Sequence, residues 1–283
     1  MDKDFLEQQL KLGLSCRQIG EMVGLSRATV LYWTKKYGIS QYNRFNKPKY
    51  VDEHMFNKID TKEKAYIVGF LAADGCIREN ELMVSIALRD KEILDFIAAY
   101  TGAKVQVSNR TNREKRQFPK AIMHIKNKNI TRDLAKHGCK KEERFLPIVS
   151  RELKPYLLLG FFDGDGCVTY GVRKDRKTSW CKVCFTSSYK LLCSVQNILL
   201  EECGIASRIY PKSNENCFVL EVRAKTNLLK LFFYLYQDNF VVLKRKYDKF
   251  NALRLELGEF GEGPLTPSEA ADLNAAERVE TRE

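Results

Sequence analysis

Two aspartates 91 residues apart stand in matching contexts, each ending an apolar run and each followed by glycine. The first run is Ala65-Tyr-Ile-Val-Gly69-Phe-Leu-Ala-Ala-Asp74-Gly75, and the second is Leu157-Leu-Leu-Gly160-Phe-Phe-Asp-Gly-Asp165-Gly166. Apolar almost all round, both read as buried helices. Gly69 and Gly160 are equivalent, with Ala73 and Gly164 four residues on, a spacing of small residues that lets helices cross at short distance. Side by side, the helices would bring Asp74 and Asp165 together at the negative ends of two macrodipoles. A carboxylate there costs a few tenths to about 1 kcal/mol, and the pair repel one another. That arrangement calls for a cation. Hard carboxylate oxygens with neighbouring backbone carbonyls suit Mg²⁺, and divalent ions clamped between two carboxylates can support phosphodiester cleavage.

The elements that must position these residues come twice between 61 and 250. After the first motif the pattern predicts a hairpin over Cys76 to Leu88 and an amphipathic helix over Lys91 to Tyr100. Alternating segments near 104–110 and 118–126 and a helix near 129–137 complete the copy. The second copy runs through a hairpin over 167–187, a helix over 189–203, strands near 206–212 and 217–223 and a helix over 226–236. Ile125-Lys-Asn-Lys128 and Val222-Arg-Ala-Lys225 precede the last helix of each copy. So long a period excludes a solenoid and fits a pseudo-dimer. Asp60 with Glu63 reads as a capping box for the first motif helix, Pro155 opens the second, and Gly75 and Gly166 read as left-handed caps.

Residues 3–39 form a separate helical pattern. Ile19, Val23, Leu25, Val30 and Trp33 can close a small core, with Ser15 and Ser26 as N-caps and Gly24 just past the first helix. The pattern resembles a helix-turn-helix of bacterial and phage regulators or recombinases. That resemblance implies that the helix near 26–37 enters a major groove, with Ser26, Arg27, Thr29 and Tyr32 at the DNA. A linker over 41–60 would follow DNA through Arg44, Lys47 and Lys49.

Charge favours the same class of partner. The chain carries a net +12, but residues 251–283 hold eight acids against three bases, leaving +17 on the first 250. So basic a body suits a polyanion. The runs Arg110-Thr-Asn-Arg113-Glu-Lys115-Arg116 and Arg173-Lys174-Asp-Arg176-Lys177 fall at hairpin tips, where phosphate contacts are expected. The charged start excludes a signal peptide, no run spans a bilayer, and nine cysteines read as reduced thiols, so a cytoplasmic, DNA-associated protein is expected. Rival metal motifs are weaker, though Cys193, Cys203 or Cys217 could complete a zinc site with Cys181 and Cys184. An EF-hand beginning at Asp163 would need a glutamate where Lys174 stands, and Cys181-Lys-Val-Cys184 lies in a strand pattern with no second such pair.

Positions 67–75 (IVGFLAADG) and 158–166 (LLGFFDGDG) resemble the paired motifs of LAGLIDADG homing endonucleases. The resemblance implies an α+β fold of two pseudo-symmetric αββαββα repeats, strands saddling duplex DNA, and a monomer that makes Mg²⁺-dependent double-strand breaks. Mn²⁺ would substitute, and Ca²⁺ would support binding without cleavage. It implies Asp74 and Asp165 as catalytic metal ligands, helped by the carbonyls of Ala73 and Gly164. Lys128 and Lys225 would order the water network, with Lys126 and Arg223 as alternatives. The sixth motif position departs from symmetry, being Ala72 in one copy and Asp163 in the other. The expected organisation is a helix-turn-helix over 1–40, a linker over 41–60, repeats over 61–147 and 148–250, and an acidic tail over 251–283, in a bacterial or phage protein. The rival reading is a regulator or intron-splicing maturase that kept the fold and lost cleavage.

Overall fold

The computed structural model describes residues 1–11, 14, 16–39, 52–111, 117–172, 179–212 and 217–257. The chain divides into an amino-terminal unit, Met1–Lys49, and a larger unit, Tyr50–Glu283. In the first, α1 (Lys3–Lys11), α2 (Cys16–Val23) and α3 (Arg27–Lys36) surround Leu6, Leu10, Cys16, Ile19, Val30 and Ile39. Ser26 is the N-cap of α3, its hydroxyl accepting from the Thr29 amide at 3.1 Å. Gly24 is left-handed at φ +69°, and a side chain on Gly20 would strike the Leu25 carbonyl, so both glycines are needed for the α2–α3 turn. Of the predicted core, Ile19 and Val30 are buried and Trp33 packs at its edge. Val23 and Leu25 are instead 37 % and 38 % exposed, because Leu6 and Leu10 of α1 occupy the interior. Ser15 lies outside the described residues.

The larger unit is built around two adjacent helices, α4 (Lys62–Asp74) and α7 (Lys154–Asp165). From Ala65 to Ala73 and from Pro155 to Asp163 every residue is buried. The crossing is reciprocal. A Cβ on Gly69 would lie inside 3.0 Å of the Leu157 carbonyl oxygen, and one on Gly160 inside 3.0 Å of the Tyr66 carbonyl oxygen. Leu157 and Tyr66 are equivalent in the two motifs, so each backbone rests where the other lacks a side chain.

Around this pair the two repeats follow one plan. The first holds β1 (Cys76–Arg78), β2 (Glu81–Ala87), α5 (Lys91–Thr101), β3 (Lys104–Thr111), β4 (Gln117–Lys126) and α6 (Lys128–Leu134). The second holds β5 (Gly166–Val172), β6 (Ser179–Ser187), α8 (Tyr189–Cys203), β7 (Arg208–Pro211), β8 (Phe218–Val222) and α9 (Lys225–Leu235). Both sheets are antiparallel, ordered β1-β2-β4-β3 and β5-β6-β8-β7. Inward rows such as Leu82, Val84, Met123 and Ile125, or Val183, Phe185, Leu220 and Val222, join one core, leaving outer faces that mix polar residues with exposed Met83, Trp180 and Tyr210.

Four sequence expectations change. The N-cap of α4 is Thr61, which accepts from the Lys64 amide, while Asp60 takes the Lys64 ammonium at 2.6 Å, so no capping box forms. Gly75 and Gly166 are extended rather than left-handed. They are small because a Cβ would strike the Leu71 or Phe162 carbonyl behind it. Part of the expected linker is core: Met55 and Phe56 are buried, and the Phe56 carbonyl meets His137 Nε2 at 2.8 Å. Finally, a further helix, α10 (Lys244–Leu257), carries the fold past 250 on buried Lys246, Phe250 and Leu253. Among the described residues no helix is long and apolar enough to cross a membrane.

Because the crossing is backbone on backbone, Gly160→Ala should lower the unfolding free energy by about 1 to 3 kcal/mol, read from the denaturant midpoint. Leu at Gly69 or Gly160 should do so more severely. Gly171→Ala, whose methyl would meet only the Trp180 ring at about its ordinary distance, should stay near wild type. Equal midpoints for Gly160→Ala and Gly171→Ala would refute the close crossing.

Candidate active site

Asp74 and Asp165 are the last residues of the crossed helices, and the crossing brings them together. Asp74 Oδ2 lies 3.4 Å from the point that a Cβ on Gly164 would occupy, beside the backbone leading into Asp165. A side chain on Gly164 would also strike Ala73. The small residues thus let the helices stay in contact to their last turn. Desolvation raises the Asp74 carboxyl above its ordinary value, against the pull of Lys246 and Arg144. Burial and then the neighbouring Asp74 push Asp165 up to about 6, against the Ser187 hydroxyl, Arg144 and Lys246. A carboxylate made harder to ionise by burial and by its partner at the other helix end is the electrostatic signature expected of the motif pair.

The sixth motif position is where symmetry ends. Asp163 is 4 % exposed and accepts from Tyr66 Oη at 2.7 Å across the helix interface. Burial raises its carboxyl to about 7. The Tyr66 hydroxyl and then Lys246 oppose that rise, and Lys246 is itself 8 % exposed and pushed down by burial to about 8. The Lys246 ammonium donates to the carbonyls of Phe162 at 2.6 Å and Asp163 at 2.7 Å, and approaches that of Gly164 at 3.4 Å. These carbonyls end α7, so a cation is placed where the macrodipole is most negative. In the first repeat Arg144 Nη2 donates to the Gly75 carbonyl at 2.6 Å.

The donors at this junction are all hard oxygens. Two carboxylates repel one another beside the carbonyls of Ala73 and Gly164, a set that fits a divalent ion such as Mg²⁺. Among the described residues no three His, Cys, Asp or Glu side chains converge, so any ion here would rely on backbone and water for its remaining ligands.

Lys128 and Lys225 are exposed first residues of α6 and α9. The cations acting on both motif aspartates are instead Arg144 and Lys246, which sequence reasoning missed. Lys126 lies 3.5 Å from Glu81, and Arg223 pairs with Glu221, which also holds Lys182 at 2.6 Å. Arg110 is in β3 opposite Phe118. Arg113, Lys115, Arg116, Arg173, Lys174, Arg176 and Lys177 lie outside the described residues, as do Arg44, Lys47 and Lys49. In the amino-terminal unit Ser26, Arg27 and Tyr32 are exposed at the start and along one side of α3. Thr29 is half-buried, with its hydroxyl 2.8 Å from that of Ser26. His124 meets Glu81 at 2.7 Å, and with His137 bonded to Phe56 both histidines have structural partners.

Comparison with known proteins finds the fold elsewhere. Residues 152–235 match the family model of the LAGLIDADG-like domain. No curated protein sequence matches the chain. Among solved structures, I-SmaMI, a meganuclease bound to uncleavable DNA, is similar with a TM-score of 0.51 at 14 % identity, over 77 % of this chain and 99 % of that one. I-AabMI, a LAGLIDADG meganuclease bound to uncleaved DNA, gives 0.51 at 13 % identity, over 77 % and 98 %. A mutant of I-SmaMI gives 0.50 at 13 %, over 78 % and 98 %.

The raised Asp165 carboxyl predicts a pH dependence without metal. A carboxyl at about 6 when folded and near 3.8 when unfolded binds more protons in the native state. Its ionisation therefore costs stability fully above pH 6 and not at all below about pH 4. Asp165→Asn should raise the metal-free melting temperature at pH 7.5, and the gain should vanish as pH falls to about 4. A gain independent of pH would contradict the raised Asp165 carboxyl.

Proposed function

We propose that this chain, which carries a LAGLIDADG-like domain on the fold of the LAGLIDADG homing endonucleases, is a site-specific DNA endonuclease. It makes a double-strand break at a long, largely non-palindromic site. One observation supports this above all: Asp74 and Asp165 converge at the ends of crossed helices, each at a cost that a divalent cation would relieve.

In this reading Asp74 and Asp165 hold Mg²⁺ with the carbonyls of Ala73 and Gly164. Bound there, the ion supplies activation of water and stabilisation of the leaving oxygen. The crossed helices fix both carboxylates so that one cut in each strand is made from one centre. Lys128 and Lys225 are the proposed orienters of the surrounding water. The outer faces of the sheets supply DNA contacts: in the second, Lys182, Trp180, Arg208, Tyr210 and Arg223 share the face away from the core. The basic residues Arg110, Arg113, Lys115, Arg116, Arg173, Lys174, Arg176 and Lys177 anchor phosphates in this reading. Two unequal repeats in one chain favour a target without two-fold symmetry. Both carboxylates would be merely destabilising in a protein that only bound nucleic acid, which disfavours a regulator or maturase.

The amino-terminal unit acts in this proposal as a helix-turn-helix, with α3 presented to the major groove through Ser26, Arg27, Thr29 and Tyr32. The left-handed Gly24 and the capped start of α3 support that reading.

Two experiments test the proposal. With a target selected from a randomised DNA library, Asp74→Asn and Asp165→Asn should each abolish Mg²⁺-dependent plasmid cleavage while mobility-shift binding persists. Wild-type cleavage by either variant rules out the assigned ligands. Removing residues 1–40 should weaken affinity and shorten the footprint at one end, yet preserve cleavage at high protein concentration. An unchanged footprint removes the DNA role of that unit.

A further inference from the structure

Each repeat delivers a cation to the end of its own motif helix from the segment that follows its last helix. In the first, α6 runs into a widened, π-type turn at Ala135–Cys139, and Gly138 there is left-handed at φ +83°. A side chain on Gly138 would meet the Phe145 carbonyl, so the glycine lets the chain fold back closely beside Arg144. Arg144 then reaches the Gly75 carbonyl, one residue past Asp74. Its Nε is buried with no hydrogen-bond partner among the described residues, so this guanidinium is not consumed by an ion pair there. In the second repeat α9 is followed by a 3₁₀ turn at Gln237–Asn239, and α10 then presents Lys246 to the last carbonyls of α7. Lys246 is held firmly. Its neighbour Arg245 makes a two-pronged ion pair with Asp90, the Lys244 amide donates to Glu92 at 3.1 Å, and Phe250 packs on Phe162.

Both cations act on both motif aspartates. We infer that Arg144 and Lys246 are a pair of resident cations that partly neutralise the paired carboxylates in the free protein and thereby weaken its hold on a divalent ion. They are positioning residues. Arg144 fixes the turn after Asp74, Lys246 fixes the end of α7 before Asp165, and their charges oppose a second cation at the same place. Added negative charge from a DNA phosphate would offset them, so the ordered sequence is DNA first and the divalent ion second. This rests on the reading that Asp74 and Asp165 hold the ion.

The test uses the full chain without DNA and Mn²⁺ as the probe, with free Mn²⁺ followed by electron paramagnetic resonance. Wild type should bind weakly, and Asp74→Asn or Asp165→Asn more weakly still. Arg144→Met and Lys246→Met should each bind Mn²⁺ on the order of tenfold more tightly, as expected when one like charge leaves a partly desolvated site. Arg144→Lys and Lys246→Arg, which keep the charge, should stay within about twofold of wild type. A parallel readout is the rise in melting temperature on adding Ca²⁺, expected to be larger in the Met variants than in wild type. Should Lys246→Met fail to fold, Arg144→Met, half-buried and outside the motif helices, carries the test. Unchanged Mn²⁺ affinity in folded Met variants, with wild-type binding still dependent on the aspartates, overturns the inference alone. Binding indifferent to both aspartates overturns the inference together with the ligand assignment beneath it.

Discussion

The interaction on which the rest depends is the contact of two backbones at Gly69 and Gly160. Each glycine accepts the carbonyl of the other helix where a side chain would stand. Helices this close, and buried on their outer sides as well, are apolar on nearly every face, with one hydrogen-bonded polar pair between them. The same closeness carries through Ala73 and Gly164 to the helix ends, where two carboxylates are forced into one neighbourhood. Sheets, flanking helices and connecting turns then bury the pair and direct its charged ends to a common junction.

A polar seam departs from the pseudo-symmetry. Where the first motif has Ala72, the second has Asp163, and where the second has Leu157, the first has Tyr66, which donates to that aspartate. Lys246 completes the arrangement beside the α7 carbonyls. A buried, bonded polar pair is costly to separate, so it favours one relative placement of the helices over sliding or mirrored alternatives. The junction consequently has one end tied by a lysine to three carbonyls and another tied by an arginine to one.

Much of this was legible in the sequence because its causes are local. Doubled motifs, glycine spacing and alternating strands gave the repeats and the two aspartates, since burial and periodicity leave their mark on residue types in order. What was not legible depends on distant partners. Lys246 reads as a solvated surface lysine within KRKYDK, and nothing nearby says that its tip reaches the end of a helix 82 residues earlier. Apolar positions at Leu243, Tyr247, Phe250, Leu253 and Leu257 did carry the helical spacing of α10, and that signal would have extended the fold past 250. Arg144 stands in the charged stretch Lys140-Lys-Glu-Glu-Arg144, with no spacing that marks it out. The exposure of Val23 and Leu25 escaped for a related reason: which apolar residues win the interior depends on α1, outside the two-helix pattern.

The position of α10 bears on how such a molecule can be taken apart and recombined. It follows the second repeat in the chain, yet its first turn is tied to the first through Asp90 and Glu92 while Lys246 reaches back into α7. The two halves have therefore ceased to be interchangeable modules, whatever common ancestor their shared plan implies. A chimaera that borrowed only one repeat would inherit half of an electrostatic agreement. Drift in either copy is constrained by a helix that belongs to both.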